Sequence, residues 1–226
     1  MKKLFVITII ILSGMVSRSQ EIFFPAKEGI VLVYKSFDKK DKMTNQIRNT
    51  IKKVNINGEN MDITYLCESI DPKDKPIFKE DITIHKKGDI LFFDMGNFIN
   101  KSMFQQNGEI PADLQIKGNN MEIPSNPKPG DVLPEASVEM SMKMGFITMK
   151  MSALIANRKV EAVEDISVKA GTFKSYKFTG DVNATAMGIK VQTNVIEWYA
   201  KGVGIVKTET YEKGKLQSYT ELIEIK

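Results

Sequence analysis

Apolar and β-branched residues in this chain recur at every second position, and turn-forming residues interrupt them at intervals of about 8 to 12 residues. That rhythm builds strands. Strands so close in sequence pair as antiparallel hairpins, because a parallel crossover needs about a dozen residues or more. The alternation places strands over 30–36, 46–56, 60–69, 78–85 and 90–95 in the first half. It places further strands over 136–144, 147–156, 159–163, 172–178, 181–186, 189–199, 204–211 and 216–225. Asn57-Gly58, Asp71-Pro72, Lys87-Gly88-Asp89, Gly180-Asp181 and Lys213-Gly214 stand between strands as turns, supplying a positive φ or the fixed φ of proline. The expected fold class is all-β and mainly antiparallel: a curled sheet or partly open β-barrel with one short helix.

The helix is expected over 97–106, capped by Asn97, with Ile99 and Met103 on one face and Gly108 as the stop. The proline-rich run from Pro124 to Gly130 reads as an extended crossover at 124–134, or as a linker between two small domains. Two internal echoes favour a single domain over 20–226. Residues 34–47 and 211–216 both read as charged hairpin tips, and Met144-Gly145-Phe146 resembles Met187-Gly188-Ile189 as a tight turn.

Residues 1–19 read as a secretory signal peptide, with Lys2 and Lys3 ahead of an apolar stretch over 4–12 and small residues at Ser17 and Ser19. Cleavage after Ser19 leaves Gln20 first and a periplasmic or secreted chain. The apolar run is shorter than the roughly 20 residues of a membrane span, and no later segment is longer. No cysteine follows the apolar stretch to accept a lipid. The only cysteine, Cys67, leaves an exported chain without an internal disulfide, so the core alone must hold it. The formal charge of +4 includes Lys2, Lys3 and Arg18; without them 29 basic residues face 28 acidic ones. Nucleic-acid binding, which needs a basic face with interleaved aromatics, is not indicated. An outer-membrane barrel would carry two aromatic girdles, whereas only 8% of these residues are aromatic.

The run from Val160 to Lys174, Val-Glu-Ala-Val-Glu-Asp-Ile-Ser-Val-Lys-Ala-Gly-Thr-Phe-Lys, and the later Glu197-Trp198-Tyr199-Ala200-Lys201-Gly202-Val203-Gly204 resemble the TapB-like family of exported bacterial proteins. The methionine-rich hairpin and Tyr219-Thr220-Glu221-Leu222 share that resemblance, which covers the chain beyond the signal. It implies an antiparallel β-rich envelope protein and brings no catalytic residues. A looser likeness to lipoprotein carriers, whose curled sheet holds an acyl chain, is an analogy of fold.

Methionine is the most distinctive feature. Met140, Met142 and Met144 share one strand face with Val138, and Met149 and Met151 share the matching face after the turn. Met187 extends this thioether surface from the second Met-Gly turn. Such a face suits a pocket for a flexible apolar ligand or an ordinary core. A thioether metal site would lack an accompanying His or Cys, and no cofactor is expected.

His85 is the lone histidine and sits on the polar face of its strand. Asp62, Glu68, Glu80, Asp81 and Glu197 are the carboxylates that could pair for hydrolysis, or simply line a solvated face. Trp198 is read as a core anchor or a stacking platform. The expected function is thus a non-enzymatic exported protein binding a lipid or similar apolar molecule. A solid-core interaction module for another envelope protein, acting through its charged hairpin tips, and a carboxylate hydrolase are the alternatives.

Overall fold

A computed structural model describes residues 22–99, 104, 111–144 and 146–226. The expected signal peptide and nearly all of the expected helix over 97–106 lie outside these residues. At the start of that region the chain instead makes a 3-10 turn, Met95–Phe98, whose cap Asp94 accepts from the Gly96 amide.

The first strands are β1 (Val31–Asp38), β2 (Met43–Asn57), β3 (Asn60–Ile70), β4 (Pro76–Lys87) and β5 (Ile90–Asp94). Two short strands follow, β6 (Gln115–Gly118) and β7 (Asn120–Pro124), and then β8 (Ala136–Met144), β9 (Ile147–Val168) and β10 (Gly171–Ala186). The chain ends with β11 (Ile189–Ala200), β12 (Gly204–Glu212) and β13 (Lys215–Ile225). All lie in one antiparallel sheet of 13 strands, ordered β6-β8-β9-β10-β11-β12-β13-β1-β2-β3-β4-β5-β7. Strands from both sides of the 124–134 crossover therefore share a sheet. The first and last strands of its main run meet at the centre, with Leu32 opposite Ile225.

The two edges, β6 and β7, are consecutive in the chain and separated only by Asn119, so one short run stitches the sheet into a nearly closed barrel. Asn119 makes this stitch polar and specific. Its Nδ2 donates to the Glu135 carbonyl at 2.9 Å, and its Oδ1 accepts from the Ser137 amide at 2.6 Å. Gly118 is required beside it, since a Cβ there would lie 2.4 Å from the Ser137 carbonyl oxygen.

Two expected breaks are absent. Residues 147–163 belong to one long strand, and Gly180-Asp181 is no turn but the middle of β10. The pairing of β9 with β10 slips near both points, and Asn157 has φ +52°. These are bulges, which use the same small or polar residues as turns and bend a strand without ending it. The tips hold another regularity. Asp38 accepts from the amides of Lys40 and Lys42, and Asp71 accepts likewise from Lys73 and Lys75. Asp41 and Asp74 each take φ near +60°. The structural twin of 38–42 is therefore 71–75, whereas Lys213-Gly214 is a two-residue turn with both φ values positive.

The barrel interior is apolar and its exposed face carries ion pairs such as Lys52–Asp81 and Lys79–Glu68, the reverse of a water-filled outer-membrane channel. Ile22, Phe23 and Phe24 enter this interior ahead of β1 and are all at least nine-tenths buried. The Phe23 ring meets Tyr176, Phe178 and Tyr199 edge-on, with centroids 5.1, 6.0 and 6.2 Å away. The Gly202 amide donates to the Ile22 carbonyl at 2.7 Å, and Gly204, at φ +97°, lets the chain pass close to Phe23 and Phe24. Pairwise aromatic contacts of this kind add about 0.5–1.5 kcal/mol each to simple burial.

Candidate functional site

The plug does not fill the barrel. Beside it remains a cavity of about 310 Å³, near the lower end of the roughly 300–1,000 Å³ typical of small-molecule sites. Its walls are apolar and aromatic: Phe24 from the plug, Tyr65 from β3, Phe93 from β5, Met121 from β7, Ile155 from β9 and Ile205 from β12. Inward placement follows from the period of two. On β3, Ile63, Tyr65 and Cys67 share a face, and Ile63 is fully buried against the core.

A small polar group interrupts this lining. Glu197 and Tyr199 alternate with the outward Trp198 on β11, and both reach the cavity. The Tyr199 hydroxyl donates to Glu197 Oε2 at 3.4 Å. Burial pushes the Glu197 carboxyl above its ordinary range, with Arg158 and Tyr199 opposing the shift. Burial also raises the phenols of Tyr34, Tyr65 and Tyr199, so they stay neutral donors. Asn49, which also lines the cavity, has a buried side-chain oxygen without a hydrogen-bond partner. An unpaired buried polar atom costs about 1–3 kcal/mol, so this oxygen is a local cost to stability behind the cavity wall. Among the described residues Glu197 is its only carboxylate, and no lysine or arginine lines it.

The methionines named from sequence are distributed differently. Met140 and Met142 are buried, at 1% and 3% exposure, opposite Met151 and Met149 across the β8–β9 ladder. Met149 and Met151 are half-buried, and Met187 is exposed at a turn with φ +48°. Met144 pairs with Ile147 at the end of β8. The expected common face therefore forms along the hairpin, but the apolar cavity lies elsewhere and, among the described residues, takes one methionine, Met121. Met140 and Met151 instead border a cleft of about 420 Å³, whose other walls are polar, including Lys117, Glu139, Ser141 and Lys150.

Most of the remaining candidates are accounted for by pairing, whereas Glu80 stands directly opposite Cys67 across the β3–β4 ladder and outside the cavity lining. His85 Nδ1 lies 2.6 Å from Asp62 on the exposed side of β3 and β4. Glu68 pairs with Lys79 and Asp81 with Lys52, so these acids are separated from Glu197 by the sheet's partition into faces. Trp198 is 6% exposed yet lies on the outer face. Its Nε1 donates to Glu164 at 2.7 Å, and the ammonium groups of Lys177 and Lys207 sit over its ring at 5.6 and 5.9 Å. Sequence reasoning missed Phe23, Phe24, Tyr65 and Asn49; the aromatic pair shortly after the expected signal was the available clue. No helix among the described residues is long and apolar enough to cross a membrane.

A barrel-like antiparallel sheet with an apolar interior and a plugging N-terminal segment defines the class of fold. The chain belongs to the DUF3108-like family, whose model matches residues 27–222. It is similar to the crystal structure of a candidate exported protein with a YmcC-like fold from Bacteroides fragilis, at 21% identity and TM-score 0.75, covering 91% of this chain and 99% of that one. It is equally similar to a candidate lipoprotein from Parabacteroides distasonis, at 25% identity and TM-score 0.75, with the same two coverages. No functionally curated protein matches. The descriptions of these neighbours, a candidate exported protein and a candidate lipoprotein, agree with the general part of the resemblance read from sequence, and the TapB-like name is not among the matches.

Proposed function

We propose that this is a non-enzymatic exported protein that holds an apolar molecule, such as a lipid tail, inside the barrel. Removal of residues 1–19 would release the chain into the periplasm or medium. The observation that carries the reading is the cavity of about 310 Å³ with aromatic and aliphatic walls. Binding fits better than hydrolysis, because Glu197 is the only carboxylate among the described residues of that cavity while a glycosidase needs two flanking the bond. The lining also selects a type of ligand. A neutral apolar molecule suits these walls, whereas a carboxylate would bury its charge beside Glu197.

The test is uptake of the neutral probe N-phenylnaphthylamine by the chain from Gln20 onward, followed by displacement with dodecanol and dodecanoate. The expected result is saturable fluorescence with a Kd of about 1–10 µM, displaced by dodecanol at a concentration about tenfold below dodecanoate. Filling the cavity with Ile155→Trp should abolish uptake, with circular dichroism confirming the fold. Equal weak fluorescence from both proteins would overturn the proposal.

A further inference from the structure

Nine large apolar side chains are exposed among the described residues, and five of them occupy the ends of two adjacent hairpins. Phe146 and Ile147, at 110% and 73% exposure, cap β8–β9; Met187, Ile189 and Val191, at 73%, 69% and 48%, follow the turn of β10–β11. The hairpins are neighbours because β9 pairs with β10, with Met151 opposite Ala186 and the Met187 amide donating to the Lys150 carbonyl at 3.4 Å. Residues 147–149 thus project beyond the second tip by about 10 Å, at about 3.3 Å per residue. Register places Ile147, Met149 and Met151 on the face shared by Ala186 and Ile189, so the two tips present one stepped apolar surface.

The two tip segments carry charge of one sign, with Glu139 set back beside Lys150 at the cleft below. Residues 142–151 and 185–191 include Lys143, Lys150 and Lys190 and no acid. Asp113 reaches this end from outside both segments, accepting from the Lys143 amide at 2.9 Å. The lysines alternate with the apolar positions, so they stand on the opposite faces of the same strands, as a collar behind the tips.

We infer that these two hairpin tips insert into the interface of an anionic phospholipid bilayer. Apolar groups on projecting turns can sink about 5–10 Å into the headgroup and acyl boundary. Lysines one residue away remain with the phosphates, their stems lying along the apolar surface. A rigid protein partner would favour a broad, flat or concave patch, and two staggered tips offer neither. The inference rests on the surface alone and stands whether or not the interior cavity binds a ligand.

The test is co-sedimentation of the chain from Gln20 onward, which contains every described residue, with vesicles of phosphatidylcholine alone or mixed with phosphatidylglycerol. Binding is expected to the mixed vesicles, to weaken with added salt, and to be much lower on phosphatidylcholine alone. The double variant Phe146→Ser/Ile189→Ser should lose about tenfold or more in vesicle affinity while melting at the wild-type temperature, since both side chains are exposed. Lys143→Gln/Lys150→Gln/Lys190→Gln should remove the preference for phosphatidylglycerol. Wild-type protein that leaves both vesicle types in the supernatant, or a double variant that binds unchanged, would overturn the inference. Sedimentation equilibrium separates the other occupant: a wild-type dimer that the double variant disrupts, without vesicle binding, would assign the tips to a second copy of the chain.

Discussion

Arg158 on β9 donates from Nη2 to the Glu122 carbonyl of β7 at 2.9 Å, and its Nη1 donates to the Pro134 carbonyl at 2.7 Å. One buried guanidinium therefore ties the edge strand β7 and the approach to β8 onto β9, close to where the barrel is stitched shut. Its charge also opposes the burial of Glu197. Arg158→Leu should lower stability by about 2–4 kcal/mol in urea unfolding, because it leaves carbonyls unpaired and a carboxyl uncompensated. Arg158→Lys should recover only part of this, since a single ammonium lacks the fork that reaches both carbonyls. A loss below about 0.5 kcal/mol for the leucine variant would contradict the role.

Glu197 predicts an inverted pH response. Its folded carboxyl titrates above the ordinary value of 4.5, so between the two values the native state binds more protons than the unfolded chain. The resulting contribution is fully present below about pH 4.5 and is lost as pH rises through the folded value. Glu197→Gln, which carries no charge to bury, should therefore gain stability relative to wild type as pH rises toward neutrality, the two converging near pH 4.5. Urea midpoints across that range measure the slope; a difference that shrinks with rising pH would refute the assignment.

Gly118→Ala tests the stitch. The added methyl would meet the Ser137 carbonyl oxygen at 2.4 Å, and backbone on both strands leaves little room to yield. A destabilisation of about 1–3 kcal/mol is expected, with exposed Lys117→Ala on the same strand near neutral. Thermal melts of the two variants side by side suffice, and equal melting temperatures would show that the β6–β8 seam does not depend on this close approach.

Cys67 should be a slow thiol. Burial, with Glu68 and Glu80 adding to it, pushes its pKa up to about 11 from an ordinary 9.0. At pH 8 that depresses the thiolate by about a hundredfold, so reaction with a disulfide reagent should be slower than in the unfolded chain by at least that factor. Ellman's reagent with and without denaturant measures the ratio, and rapid labelling of the folded protein would contradict it.

Much of the fold was legible residue by residue. The alternation over 60–69, 189–199 and 216–225 became β3, β11 and β13 nearly as read, Lys213-Gly214 became a turn, and the turn expected at Asn57-Gly58 falls one residue later, on Gly58-Glu59. The errors share one cause. Asn157 and Gly180 have the chemistry of turn residues, and whether such a residue reverses a strand or bulges it depends on the neighbouring strand. The plug was invisible for a related reason: Ile22-Phe23-Phe24 has no period, and only the cavity around it explains three consecutive buried side chains.

By itself the sequence determined the strands, their antiparallel hairpins and the two faces of each, because period and turn chemistry are properties of a few adjacent residues. Tertiary structure alone decided that β1 closes on β13, that a single run from β6 to β7 joins both edges, and that the free interior volume gathers beside Asn49 and Glu197. Those outcomes depend on contacts between residues distant in the chain and on how completely their side chains fill the barrel. Shape and volume of that kind are not written in any local pattern, so the methionine face could be read directly, whereas the aromatic cavity could not.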